Sequence, residues 1–330
     1  MRLAAGMPGS RWLPAIALGV ACSSQAAPTS GNEPFGWLQR ATGAARSQNY
    51  SGTFVHTNGD RISTFRITHL NVNGEEHERI EPLDGPPHEI VRKNEEMYCH
   101  FPDAKTVRLD TRITARFFPS ILRSTPESIA SSYALKLGKV ERILGHDCQW
   151  LRLEPKDKLR FEQRVCAEAH TGLVLRAKTL NEQAQVIEQY TFTELRLGAQ
   201  AGRTAEVRSN FEQRVRQWRT DKQPREEART ADTGWTVTNV PAGFQKVTEL
   251  RRTLPGRSQP VSQIVLSDGL ASVSVFVEAS APADRTEEAS SEDGTTTYFS
   301  RPMGDQRVTV LGEVPLATAQ QVGRSVARRP

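Results

Sequence analysis

The segment NYSGTFVHTNGDRISTFRIT, residues 49–68, constrains the fold more than any other part of the chain. Two runs of alternating polar and apolar residues flank Asn58-Gly59, a dipeptide that suits a two-residue type I′ turn because both central positions there need positive φ. With Asn58 and Gly59 as the turn, Phe54 opposes Ser63, Gly52 opposes Phe65 and Tyr50 opposes Ile67. Side chains alternate across a strand, so Tyr50, Phe54, Phe65 and Ile67 share one face. The other face carries Ser51, Thr53, Thr64 and Arg66, with only Val55 and Ile62 as apolar company. An antiparallel sheet with one apolar face must be covered on that side by helices, a second sheet or a ligand. A packed core and a ligand-lined cavity both satisfy that requirement.

The flanking sequence extends the sheet. Trp37, Leu38, Ala41, Ala44 and Ala45 recur at helical spacing and predict a helix over 34–47, with Pro34 tolerated in its first turn. Turn chemistry then separates strands at 50–57, 61–70, 77–83, 87–93, 96–101 and 105–110. Thr125 and Pro126 suit the cap and first position of a short helix over 126–132. Strands resume near 133 and continue through 139–145, 147–154, 160–167, 173–180 and 185–197. Residues 33–198 thus read as one large, curved antiparallel sheet with two helices. Over 199–232 the apolar content falls; Val207, Phe211, Val215 and Trp218 form a helical stripe, followed by a charged linker. A second α+β domain occupies 233–330: a hairpin turns at Asp268-Gly269, a polar loop spans 279–294, and Leu316, Ala319, Val322 and Val326 line one face of a terminal helix.

Arg2 and Arg11 precede the apolar run 12–21, and Ser24, Gln25 and Ala26 give a small-x-small cleavage pattern, so residues 1–26 read as a signal peptide. Gly19 to Cys22 loosely offers a lipoprotein-processing alternative that leaves Cys22 lipidated, although Gly19 stands where a larger aliphatic is usual. Removing 1–26 takes the formal net charge from +5 to +3. That mild surplus lacks the clustered cations and interleaved aromatics of a nucleic-acid surface. In an oxidising compartment Cys99, Cys148 and Cys166 are an odd set. The hairpin centred on position 157 places Cys148 opposite Cys166, within reach of a disulfide, and leaves Cys99 free. Buried reduced thiols are the alternative.

Catalytic constellations are hard to find. The seven histidines (His56, His69, His77, His88, His100, His146 and His170) show no metal-ligand spacing and fall mostly at predicted strand ends or turns. Cys99 and His100 are neighbours on a strand and point to opposite faces. No Gly-x-Ser-x-Gly elbow, P-loop or dinucleotide fingerprint occurs, and the pair Glu75 and Glu76 sits by a turn where solvation explains it. The sequence points to binding without a cofactor or metal.

The ordered set WLQRA, NYSGTFV, RITHL, PLDGPPHEIVRKNEEMYCHFPD, GHDCQWLRLEPKD, GWTVTNVPAGF and VLGEVPLATAQQV resembles the RseB/MucB family from about Trp37 to Val326. The resemblance implies a periplasmic negative regulator of the sigma-E envelope-stress response. Such a protein binds the periplasmic domain of an RseA/MucA-like anti-sigma factor, protects it from regulatory proteolysis, and is released on sensing lipid or lipopolysaccharide. It also implies a LolA/LolB-like unclosed antiparallel β-barrel with helices across its mouth, joined to a smaller C-terminal sheet domain. On that fold Tyr50, Phe54, Phe65 and Ile67 would face the lipid-sensing interior, with Leu83, Ile90, Val107 and Leu109 as neighbours. Trp235, Phe244, Leu316 and Val322, with the interface between the domains, would meet the anti-sigma partner. Self-association stays open. The alternative is a carrier of lipoprotein acyl chains or lipid, for which the second domain has no evident use.

Overall fold

The computed structural model describes residues 33–94, 96–103, 106–110, 117–122, 124–201, 219–221, 229–230, 232–253, 259–280 and 287–329. The signal-peptide reading, Cys22 and the stripe Val207, Phe211, Val215 and Trp218 lie outside the described residues.

Helix α1 (Pro34–Ser47) buries Trp37, Leu38, Ala41, Ala44 and Ala45, the apolar stripe of its sequence. Proline at its start costs little because first-turn N–H groups lack helical partners anyway. It ends where Gln48 turns extended and donates its N–H to Ala44 O. A meander follows: β1 (Tyr50–Asn58), β2 (Arg61–Val72), β3 (Glu75–Pro82), β4 (Glu89–Lys93), β5 (Glu96–Phe101) and β6 (Thr106–Asp110). Helix α2 (Pro126–Ser132) is capped by Thr125, whose hydroxyl accepts from Ser128 N at 3.3 Å. A second meander comprises β7 (Tyr133–Ile143), β8 (His146–Pro155), β9 (Glu162–Glu168), β10 (Val174–Leu180) and β11 (Val186–Leu197). Strand β12 (Arg219–Asp221) pairs parallel with β6. The resulting order, β12-β6-β5-β4-β3-β2-β1-β11-β10-β9-β8-β7, leaves β12 and β7 as edges, so the twelve-stranded sheet is unclosed.

The opening hairpin departs from its expected register. Asn58 pairs with Arg61, Phe54 with Phe65, Gly52 with Ile67 and Tyr50 with His69, so Gly59 and Asp60 make the turn. Gly59 takes φ +57° at the first central position, which type II′ turns reserve for glycine. The displacement is two residues, an even number, and every side chain keeps its face. Gly52 is required for another reason: a Cβ there would stand 2.1 Å from Glu194 O, beside the bulge where β1 and β11 change register.

The second domain has β13 (Arg229–Thr230), β14 (Trp235–Val237), β15 (Gln245–Arg252), β16 (Val261–Ser267), β17 (Ser272–Ala279), β18 (Ala289–Asp293), β19 (Thr296–Met303) and β20 (Gln306–Gly312). Helix α3 (Leu316–Arg324) packs on β19 and β20, and β21 (Val326–Arg328) pairs with β14. The main sheet runs β13-β15-β16-β17-β20-β19-β18. Two expectations need correction. The terminal helix stops at Arg324, and Val326 lies in β21 opposite Val237, where pairing satisfies its backbone. Part of the expected polar loop, 289–293, is β18; its residues are all exposed, so no apolar alternation marked it in the sequence.

Candidate functional site: a covered sheet face and a seam between domains

The apolar face of the hairpin is packed. Tyr50, Phe54 and Ile67 are 0%, 3% and 0% exposed, and Phe65 packs partly buried against the same core. Phe54 stacks on Phe65 at 5.2 Å between ring centroids and meets Phe118 at 5.1 Å and Phe192 at 6.1 Å. Phe118, from the segment preceding α2, also stacks on Tyr190 at 5.4 Å and so lids the face. Of the expected neighbours, Ile90 packs against the core, whereas Val107 is buried on the opposite face, paired with His100, and Leu83 is 45% exposed because it follows the end of β3. The side chain of Leu109 lies outside the described residues.

Under the end of α1 the face becomes polar. Arg92 donates to Glu78 at 3.1 Å and to Glu76 at 3.0 Å, and Arg46 donates to Glu76. Tyr50 O–H donates to Ala45 O at 3.2 Å, and its ring stacks on His69 at 4.8 Å. His69 Nδ1 lies 2.8 Å from Gln48 O; a carbonyl only accepts, so Nδ1 carries the proton. Burial raises the Tyr50 phenol well above its ordinary pKa, aided by the Glu78 carboxylate, and lowers His69, so both stay neutral. Burial opposes the charge on Arg92, but Glu78 and Glu76 raise its pKa. Glu76 is therefore no solvated turn residue, and His69 and His100 are fully buried, against expectation. Alternation puts Glu76 and His69 on the inner face, in strands longer than the sequence suggested, whereas His100 pairs with Glu89 and Val107 on the opposite face. Glu76, through Arg46, and His69, through Gln48, fasten the helix to the sheet.

The disulfide joins Cys148 and Cys166, with Cα atoms 5.5 Å apart, and Cys99 is not part of it. The two are diagonal: Cys148 opposes Glu168 and Cys166 opposes Trp150. The hairpin is centred on position 158, one residue later than its sequence predicts.

The domains meet along a seam that residue patterns did not expose. Leu270, from the β16–β17 turn, is 3% exposed and belongs to the core of the first domain. Beside it, Asp268 and Arg160 form a buried ion pair at 2.8 Å. Tyr133 O–H donates to Asp268 at 3.3 Å, and Arg160 reaches Asp157 at 2.8 Å and Ala242 O at 2.5 Å. Gly269, at φ +99°, lies so close to Ser124 that a Cβ would stand 2.0 Å from its Oγ. Thr318 donates to Leu159 O at 3.0 Å, which anchors α3 to the first domain. At the other end the hairpin tip docks: Asn58 Oδ1 accepts from Thr295 N at 2.9 Å, and Arg61 pairs with Asp293. A cavity of about 50 Å³ lies along the seam, lined by Tyr133, Phe161, Thr179, Glu188 and Tyr190 on one side and Leu270, Ala271 and Thr295 on the other. Small-molecule pockets run to several hundred Å³, so it has no room for an acyl chain. Tyr50, Phe54, Phe65 and Ile67 do not line it.

Trp235, Phe244 and Val322 are 8%, 5% and 0% exposed in the core of the second domain, and Leu316 is half-buried. The first three offer little free surface; they hold the domain together.

This architecture has relatives. The family models for the MucB/RseB N-terminal domain and the MucB/RseB C-terminal domain match residues 33–214 and 229–327. The chain belongs to the MucB/RseB family. It is 31% identical to the sigma factor AlgU regulatory protein MucB of Pseudomonas aeruginosa, covering 88% of this chain and 89% of that one. It is 23% identical to the sigma-E factor regulatory protein RseB of Escherichia coli over 92% of each. The solved complex of P. aeruginosa MucA and MucB superimposes with a TM-score of 0.73 at 29% identity, covering 90% of this chain and 99% of that one. A crystal structure of MucB gives 0.62 at 27% identity, covering 89% and 97%. Among the described residues no helix is long and apolar enough to cross a membrane.

Proposed function

We propose that this chain is a periplasmic restraint on a sigma-E-type stress response. It binds the periplasmic domain of a membrane-spanning anti-sigma factor and shields it from the first regulatory protease. The observation that carries this reading is the likeness, across both domains at once, to MucB in its complex with MucA. The reading gives no residue a catalytic role. Partner contact belongs to exposed surface on both sides of the seam, since Trp235, Phe244 and Val322 are enclosed.

Release by lipid follows from the same packing. An acyl chain reaching Phe54 has to displace Phe118, and Leu270 of the second domain shares the core that would open. Lipid binding would thereby loosen the seam, and a lipid shifts the equilibrium only by its preference for the loosened form. A carrier of apolar cargo fits less well, because the sheet face is closed and Leu270 of a second domain shares its core.

The test is proteolysis of the anti-sigma periplasmic domain by its regulatory protease, with and without saturating full-length chain. Cleavage should slow markedly. An unchanged rate overturns the proposal.

A further inference from the structure

The outer face of the large sheet carries an arrangement that folding alone does not favour. Lys136 on β7 directly opposes Arg152 on β8, Arg152 opposes Arg164 on β9, and Arg164 opposes Lys178 on β10. Paired residues of antiparallel strands point to the same side, so four cations form one row across four strands. At strand spacing the row spans about 14 Å. The row continues through Gln189 and Thr57 to Ile62, which is 69% exposed. Like charges directly opposed destabilise a sheet.

Carboxylates relieve only part of this repulsion. Glu154 pairs with Lys136 and Arg152, and Glu162 with Arg152 and Arg164. Glu141 pairs with Arg176, one row away. Lys178 has no carboxylate at ion-pair distance among the described residues; its ammonium lies 5.5 Å from the Trp150 ring. Its pKa is lowered, first by burial and then by Arg176, with Arg164 and Lys139 adding to the effect and Glu141 opposing it. The face therefore has a standing excess of positive charge held on rigid strands. A row of cations that ends on the exposed aliphatic Ile62 matches a bilayer interface, where phosphates and the first methylenes lie together. An acidic peptide would use the cations alone.

We propose that the outer face of β7–β10 docks on an anionic phospholipid bilayer, with Lys136, Arg152, Arg164 and Lys178 against headgroup phosphates. This surface is on the opposite side of the sheet from the covered aromatic face and does not depend on it.

Co-sedimentation of the full chain with vesicles of phosphatidylcholine, alone or mixed with phosphatidylglycerol, tests the assignment. The chain should pellet only with phosphatidylglycerol present, and less as salt rises. The K136Q/R164Q/K178Q variant should bind on the order of a hundredfold more weakly, from about fivefold per side chain. A matched R66Q/K93Q/K158Q variant, also three cations fewer, should bind as the natural chain does. Inorganic phosphate should not displace the vesicles. Neutralising opposed like charges should leave the melting temperature unchanged or raised. Should the triple variant nevertheless fail to fold, Lys178→Gln alone carries the test with about a fivefold loss. Equal binding to both vesicle types, equal loss in the matched variant, or displacement by phosphate overturns the proposal. So does a triple variant that loses only the anti-sigma fragment while the natural chain ignores vesicles.

Discussion

Replacing Asp268 by alanine should weaken the molecule at one place, the seam. The carboxylate is 0% exposed and the Arg160 side chain 2%, with 2.8 Å between them. Removing one member of a buried pair generally costs about 3–5 kcal/mol, because the other charge stays desolvated. Arg160 keeps Asp157 at 2.8 Å, which places the charge loss near the lower end, about 3 kcal/mol. Asp268 Oδ1 also accepts from Leu270 N and Ala271 N at 2.8 and 2.7 Å, and those turn bonds contribute about 1 kcal/mol each. The total for Asp268→Ala is about 4–5 kcal/mol. Asp268→Asn preserves an acceptor for the turn and should lose only the charge part. Scanning calorimetry and urea unfolding are the assays. The natural chain should unfold in one cooperative transition, and Asp268→Ala should split it as the domains uncouple. A double-mutant cycle with Arg160→Met should give a coupling of about 2–3 kcal/mol. A loss below about 1 kcal/mol, or coupling near zero, would show that the seam is a passive contact.

Three further outcomes follow from the packing. Burial opposes charge on Glu249 and Glu89, but hydrogen bonds from Lys246, Thr233 and Arg329 to the first, and from His100 and Arg79 to the second, hold both at about 2, below the ordinary 4.5. Their stabilisation is complete above about pH 4.5 and lost as pH falls through about 2; Glu249→Gln should flatten the melting-temperature profile there, and an unaltered profile contradicts the assignment. Serine at Cys148 and Cys166 opens a link of sequence separation 18 and should cost about 3 kcal/mol in urea unfolding; equal midpoints with and without reductant would deny the bond a stabilising role. Phe54→Ala should cost about 3–5 kcal/mol if the aromatic face is packed, whereas an unchanged melting temperature with stronger lipid binding would mean the face is already open.

Much of the fold was legible in periodicity. Helix α1, helix α2 with its Thr125 cap, and the inward face of Tyr50, Phe54, Phe65 and Ile67 all follow from local patterns that tertiary packing reinforces. Register was harder to read: the turn at Gly59-Asp60 and the diagonal disulfide each shift by an even number, which alternation cannot detect. Strand β18 escaped because a wholly exposed edge strand has no apolar phase. The seam was least visible. Asp268 reads as an ordinary turn residue, and only the approach of Arg160, 108 positions earlier in the chain, makes it a junction. Trp235, Phe244 and Val322 attract attention as large or apolar side chains, yet such residues serve a small domain's core before its surface.

The central claim is that both domains together bind the periplasmic domain of an anti-sigma factor. Titration calorimetry of the full chain with that domain measures it directly. The account predicts a saturable heat, weakened by Asp268→Ala while each domain stays folded. No heat and no complex from a chain shown to be folded would contradict it.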